Sequence, residues 1–260
     1  MSQGLAAHRA DDGLEGVVAA HTILSDVDGQ AGRLTVRGYA IEDLADRAPF
    51  EEVAHLLLDG FFDGAPQDLA PALGAARVKA FAEVAALDEA LARRDPVEAV
   101  RALIARLPDG DDLATALLLI AAPAVFTPAV FTPAVLRVAA GQTPVAPDPA
   151  LSHAADVLRM TRGAPASEAE ARALDAYLVT VCDHGLNAST FAARVVASTR
   201  AGLTSAVLAG ISALKGPLHG GAPGPVIEML DAIGRPENAR AWLQTALARG
   251  ERLMGFGHRI

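Results

Sequence analysis

Three short segments in the last third of the chain each centre on a histidine. They are Asp183-His184-Gly185-Leu186-Asn187, Gly216-Pro217-Leu218-His219-Gly220-Gly221 and Gly255-Phe256-Gly257-His258. His219 stands in a Gly/Pro-rich turn between a helical run, Leu203 to Lys215, and a second expected from about Val226, with Pro225 suited to its first position. A histidine beside a helix N-terminus feels the positive end of the dipole, which favours neutral imidazole as a hydrogen-bond donor to an enol or enolate oxygen. The competing reading is a turn histidine flanked by glycines for steric reasons. Gly255 and Gly257 before His258 would let backbone groups approach a flat or phosphorylated ligand, or they simply end a helix. The segment lacks the third glycine and preceding strand of a dinucleotide fingerprint. His184 follows Cys182 and Asp183, but neither an i, i+4 histidine pair nor a C-x-x-C pair is present. A metal site or a Cys-His nucleophile is therefore poorly supported. Asn187 could share a helix face with His184 and bind a polar ligand, or could be a helix cap.

The elements that position these turns are expected to be helices. Apolar residues make up 52% of the 260 residues and aromatics only 4%, so the core is built from Ala, Leu and Val. The net charge of -9, without a basic block, excludes the electrostatic footprint of a nucleic-acid binder. One cysteine, Cys182, forms no internal disulfide, the first residues carry no signal pattern, and a cytoplasmic location is expected. From Leu113 to Leu136 no residue is charged, but Pro123, Pro128 and Pro133 disfavour a continuous lipid-facing helix. The expectation is a buried helix over Asp111 to Ala122, followed by a short direct repeat, Val125-Phe-Thr-Pro-Ala and Val130-Phe-Thr-Pro-Ala, beside a loop.

Val17 to Asp26 and Arg33 to Tyr39, around Asp28-Gly29-Gln30-Ala31-Gly32, predict a hairpin. Ile41 to Asp59 predicts two short helices broken at Pro49, and helical periodicity runs over Pro71 to Arg94 and Pro96 to Leu107. Residues 141–149 (GQTPVAPDP) read as an irregular connection. Helices follow from Ser152 to Met160 and from a Ser167/Glu170 capping box to about Asp183.

Long strings of this chain resemble the citrate synthase family: GLEGVVAAHTILSDVDGQAGRLTVRGYAIEDLA (13–45), PDPALSHAADVLRM (147–160), DHGLNASTFAARVVASTRAGLTSAVLAGISALKGPLHGGA (183–222) and RLMGFGHR (252–259). The resemblance implies an all-α, mainly helical fold: a large domain (1–218) with a short N-terminal β-hairpin, the beginning of a small domain (219–260), and a homodimer. It implies condensation of acetyl-CoA with oxaloacetate to citrate and CoA, without a metal or a permanently bound cofactor. By motif match, His219 would bond the thioester carbonyl, His258 would polarise the oxaloacetate ketone, and His184 and Asn187, with His219 and His258 beside them, would help hold oxaloacetate. Leu218, Gly220, Ala222, Leu253, Met254, Gly255, Phe256 and Gly257 would line the coenzyme A site.

Two departures stand out. The family usually continues H-G-G-A with Asn-Glu, where this chain has Pro223-Gly224-Pro225. No motif here matches the family's proton-abstracting aspartate or its dicarboxylate-binding arginines, so the expectation is a C-terminally truncated chain lacking the general base. A 2-methylcitrate synthase using propionyl-CoA, and a non-catalytic helical module derived from the family, remain alternatives.

Overall fold

A computed structural model describes residues 20–131, 144–217, 219–220, 223–251, 253 and 255. A small antiparallel sheet opens it: β1 (Ser25–Asp28), β2 (Arg33–Val36) and β3 (Tyr39–Ala40), in the order β1-β2-β3 with Ser25 opposite Val36. Asp28 makes the turn, its Oδ1 accepting the Gln30 and Ala31 N–H groups at 3.1 and 2.9 Å. The hairpin thus forms where the turn residues stand. Its first strand starts at Ser25, residues 20–24 are not strand, and the expected start at Val17 lies outside the described residues.

Helices follow: α1 (Ile41–Arg47), α2 (Phe50–Leu58), α3 (Ala70–Phe81), α4 (Glu89–Ala92), α5 (Pro96–Ile104), α6 (Leu113–Phe131), α7 (His153–Arg162), α8 (Glu168–Thr180), α9 (Ala188–Ser198), α10 (Leu203–Leu214), α11 (Pro223–Ile233) and α12 (Ala239–Ala248). Pro49 separates α1 from α2, as its missing N–H and the restriction on its neighbour require. Asp95 caps α5, whose N1 is Pro96, and Ser167 with Glu170 closes a full capping box on α8.

Two expectations are corrected. The stretch from Pro71 to Arg94 is not one helix: a 3₁₀ turn (Ala82–Ala86) breaks it, and Asp88 restarts α4 by accepting Leu91 N–H at 2.7 Å. Helix α6 does not stop at Ala122 but runs through Pro123 and Pro128. Each proline forfeits a backbone bond, yet Ala121, Ala122, Ala124, Val125 and Phe126 are all buried, and that packing outweighs local propensity. No helix among the described residues is long and apolar enough to cross a membrane.

The core is small-residue aliphatic, with Phe126 the one aromatic among the largest fully buried side chains described. One cluster joins the 3₁₀ turn, α5, α6 and α7, a second joins α2, α3 and α6, and a third packs Val36 and Ile41 against Val53 and Val179 of α2 and α8. Close approach replaces bulk: a Cβ on Gly74 of α3 would lie 2.4 Å from the Pro149 carbonyl oxygen of the 144–152 connection.

A buried ionic group ties the same places together. Arg77 of α3 donates from Nε to Asp156 Oδ2 at 2.8 Å and from its second terminal nitrogen to the Leu151 carbonyl at 2.8 Å, with both ionic side chains fully buried. His153 lies beside Arg77, its ring centroid 4.8 Å from that of Phe50, and its backbone N–H donates to Glu51 Oε1 at 2.6 Å. Burial, and then the adjacent guanidinium, lower the His153 pKa from 6.5 to about 3. Unfolded, the same ring takes a proton below pH 6.5 while the folded one does not, so stability is lost as pH falls from 6.5 towards 3. Glu170, held at about 2 chiefly by the Ser167 N–H, works in the same direction below its ordinary 4.5, whereas burial raises Asp175 and opposes both. Urea midpoints are therefore expected to drop between pH 7 and pH 4.5, and to drop less in His153→Gln. Equal drops in the two proteins would assign the acid sensitivity to other groups.

Candidate functional site

The turn between α8 and α9 is built by its own side chains. Asp183 Oδ1 accepts the Gly185 N–H at 3.0 Å, and Gly185 takes φ +89°, a left-handed conformation open to glycine. Asn187 then caps α9: its Oδ1 accepts Thr190 N–H at 3.0 Å, Thr190 Oγ at 3.1 Å and Ser189 Oγ at 2.7 Å. With the oxygen committed, the amide nitrogen faces His184 Nε2 at 3.2 Å and donates to it. Neutral His184 therefore carries its proton on Nδ1. Asn187 is a cap and a partner of His184 at once, and the expectation that the two share a helix face is corrected, because His184 precedes the helix.

The second turn follows α10. Lys215, Gly216 and His219 fold back onto the Ile211, Ala213 and Gly216 carbonyls, and the Gly220 N–H reaches Leu214 O at 2.8 Å. A Cβ on Gly220 would meet that same oxygen at 2.1 Å, so no larger residue fits this closure. Helix α11 begins at Pro223, ahead of the expected start, which moves Pro225 from the first to the third position. A proline is tolerated there because N–H groups of the first turn have no helical acceptor.

The two turns meet through Ser189. His219 Nε2 lies 2.9 Å from Ser189 Oγ, which in turn bonds Asn187. Helices α9 and α10 pack closely enough for this: a Cβ on Gly210 of α10 would stand 3.4 Å from Ser189 O and 3.5 Å from Ala193 Cβ. The result is one hydrogen-bonded run, His184–Asn187–Ser189–His219. Sequence reasoning missed Ser189, which follows the cap by two residues and is separated by 30 from its histidine.

Of the residues expected at the coenzyme A site, Gly220 and Leu253 are exposed and half-buried, and Gly255 (φ +84°) sits where a Cβ would touch Val226 of α11 at 3.4 Å. His258, Leu218, Ala222, Met254, Phe256 and Gly257 lie outside the described residues. Among the described residues no group of three or more His, Cys, Asp or Glu is placed to hold a metal. Burial, with Asp183 next to it, raises the Cys182 thiol above its ordinary pKa, which leaves it a poor nucleophile.

The sequence and the helical fold match known proteins. Residues 13–260 match the family described as "Citrate synthase, C-terminal domain", and the chain belongs to the citrate synthase family. It is 41% identical over 257 residues to the 2-methylcitrate synthase of Mycobacterium tuberculosis, covering 95% of this chain and 64% of that protein. It is 40% identical over 270 residues to the citrate synthase of Haloferax volcanii, covering 95% and 69%. The chain thus spans about two thirds of the length of these relatives. Among solved structures, the ternary complex of Thermoplasma acidophilum citrate synthase with carboxymethyl coenzyme A and oxaloacetate superposes with a TM-score of 0.77 at 29% identity, covering 96% of this chain and 69% of that one. The citrate synthase of Pyrobaculum aerophilum gives 0.75 at 33% identity, covering 95% and 65%.

Proposed function

We propose that the protein is an acyltransferase that condenses acetyl-CoA with oxaloacetate, releasing citrate and CoA, as a step of the tricarboxylic acid cycle. The observation that carries this reading is the run His184–Asn187–Ser189–His219, which joins two half-sites on rigid helices. His184, with Nε2 filled by Asn187, presents Nδ1–H to an oxygen of the dicarboxylate. Asn187 contributes by fixing that tautomer.

His219 takes the acyl half. The Ser189 hydroxyl has one proton and two claimants, Asn187 Oδ1 and His219 Nε2. Turned to His219, it leaves the neutral ring with Nδ1–H, the donor that a thioester carbonyl needs as its methyl loses a proton and negative charge gathers on oxygen. The enolic carbon then attacks the oxaloacetate ketone, polarised by His258, and water splits the citryl thioester to free CoA. Leu218, Gly220, Ala222 and the 253–257 segment line the CoA side. CoA enters as a thioester substrate, and the reaction uses no metal and no permanently bound cofactor.

The methyl proton still needs a base, and among the described residues no carboxylate bonds His219. We assign the base to the part of the family's length that these 260 residues do not span, and we divide the chain into a large domain (1–218) and the start of a small one (219–260). Only Ile233 and Ala246 are buried among the described apolar residues after Lys215, which supports the division. A cytoplasmic homodimer completes the reading, and exposed Val195, Leu214, Ile227 and Leu230 supply apolar surface for it.

The test is free-thiol release from acetyl-CoA and from propionyl-CoA with oxaloacetate. A protein extended to the relatives' length is expected to release CoA, and this chain alone to run about 10²–10⁴-fold slower, the usual contribution of a positioned general base. No release with any 2-oxo acid would overturn the enzyme assignment, and equal rates for the two lengths would overturn the assignment of the base. The relatives include both acyl specificities, which differ by one methylene worth about 1–3 kcal/mol of discrimination. The ratio of the two kcat/KM values decides between citrate and 2-methylcitrate synthesis.

A further inference from the structure

We propose that Ser25 and Asp183 are positioning residues for His184, through which the N-terminal hairpin clamps the turn that holds the dicarboxylate; this rests on the reading of His184 given above. Ser25 on β1 donates its hydroxyl to Asp183 Oδ1, the same oxygen that accepts the Gly185 N–H at 3.0 Å. Val27, two residues along and therefore on the same face of the strand, places Cγ2 where it would touch a Cβ on Gly185 at 3.5 Å. The strand thus meets the turn twice, once on each side of His184.

The hairpin is itself pinned at the open end, beside Ser25. Arg37 holds a left-handed conformation, φ 51°, that a side chain rarely adopts. Its N–H bonds the Leu24 carbonyl at 2.7 Å, next to Ser25, and its guanidinium donates to the Leu56 and Asp59 carbonyls at the end of α2 at 3.2 and 2.8 Å. Val36, opposite Ser25 in the register, is fully buried against the α2 and α8 core. A rigid path therefore runs from α2 through Arg37 and β1 to Asp183. The Ser25 hydroxyl has no part in the strand ladder, and its role is spent on the His184 turn.

The test uses the 260-residue chain, with oxaloacetate titrated calorimetrically and imidazole nitrogens followed by ¹⁵N NMR at a temperature where every variant is folded. Ser25→Ala is expected to weaken oxaloacetate about tenfold, roughly the net contribution of one hydrogen bond. It should shift the His184 ring from a fixed Nδ1–H tautomer towards a mixture and leave the His219 ring unmoved; Ser25→Thr should restore both. An unchanged Kd and unchanged His184 nitrogens in Ser25→Ala would overturn the clamp. If the unsubstituted chain binds no oxaloacetate, the reading of the site fails on its own, and the His184 nitrogens alone then decide: a shift on Ser25→Ala supports the clamp, and none overturns it.

Discussion

His219→Ala is expected to lower kcat about 10²–10³-fold in the protein at the relatives' length, the usual loss when one donor to a developing oxyanion is removed. The effect should fall on kcat more than on the KM for oxaloacetate, since the neighbouring half-site, His184 bonded to Asn187, is left intact. Ser189→Ala is the more informative companion. It removes the only bond among the described residues that holds the His219 ring, and with it the hydroxyl proton that Asn187 and His219 share. A loss of about tenfold in kcat is expected, roughly that of one hydrogen bond, with a thermal midpoint close to that of the parent. A His219→Ala protein retaining full kcat would remove His219 from the chemistry. A Ser189→Ala protein retaining it would show that the serine does no more than fill space between α9 and α10.

Asp156→Ala is expected to cost about 3–5 kcal/mol of folding stability, measured by urea denaturation at pH 7. Fully buried Arg77 would lose its one carboxylate partner among the described residues and keep the carbonyl acceptors and the His153 ring. The Asp148 N–H and the Arg159 guanidinium, which also bond Asp156, would be left to find water. Total stabilities are about 5–15 kcal/mol, so the variant approaches the threshold of folding. Replacing both partners together, Arg77→Met with Asp156→Leu, is expected to be far milder, because the fully buried guanidinium goes with its partner and only the partly exposed Arg159 is left to find water. A single-variant loss below about 1 kcal/mol would mean that water reaches the guanidinium and that the pair is not isolated from solvent.

The helical class, the hairpin turn at Asp28, the break at Pro49 and the Ser167/Glu170 cap were legible in the sequence because each depends on residues a few positions apart. The run of α6 through Pro123 and Pro128 was not, since burial on several sides overrules what two prolines cost locally. The same contrast governs the site. His184, Asn187 and His219 stand out as residue types in glycine-rich turns, and Asn187 drew both of its readings from spacing alone. Ser189 could not be found that way. It looks like any serine in the first turn of a helix, and becomes a partner of His219 when α9 and α10 close over Gly210. Arg77 and Asp156 lie 79 positions apart, and nothing local marks them as partners.

If the reading of the site is right, the two histidine turns form one substrate-holding cluster. A crystal of this chain grown with oxaloacetate and an unreactive acyl-CoA analogue tests it most directly. A dicarboxylate oxygen is expected within hydrogen-bond distance of His184 Nδ1 and the thioester oxygen of the analogue at His219 Nδ1, with Ser189 still on Nε2. Both ligands seated elsewhere, with His184 and His219 bare, would contradict it.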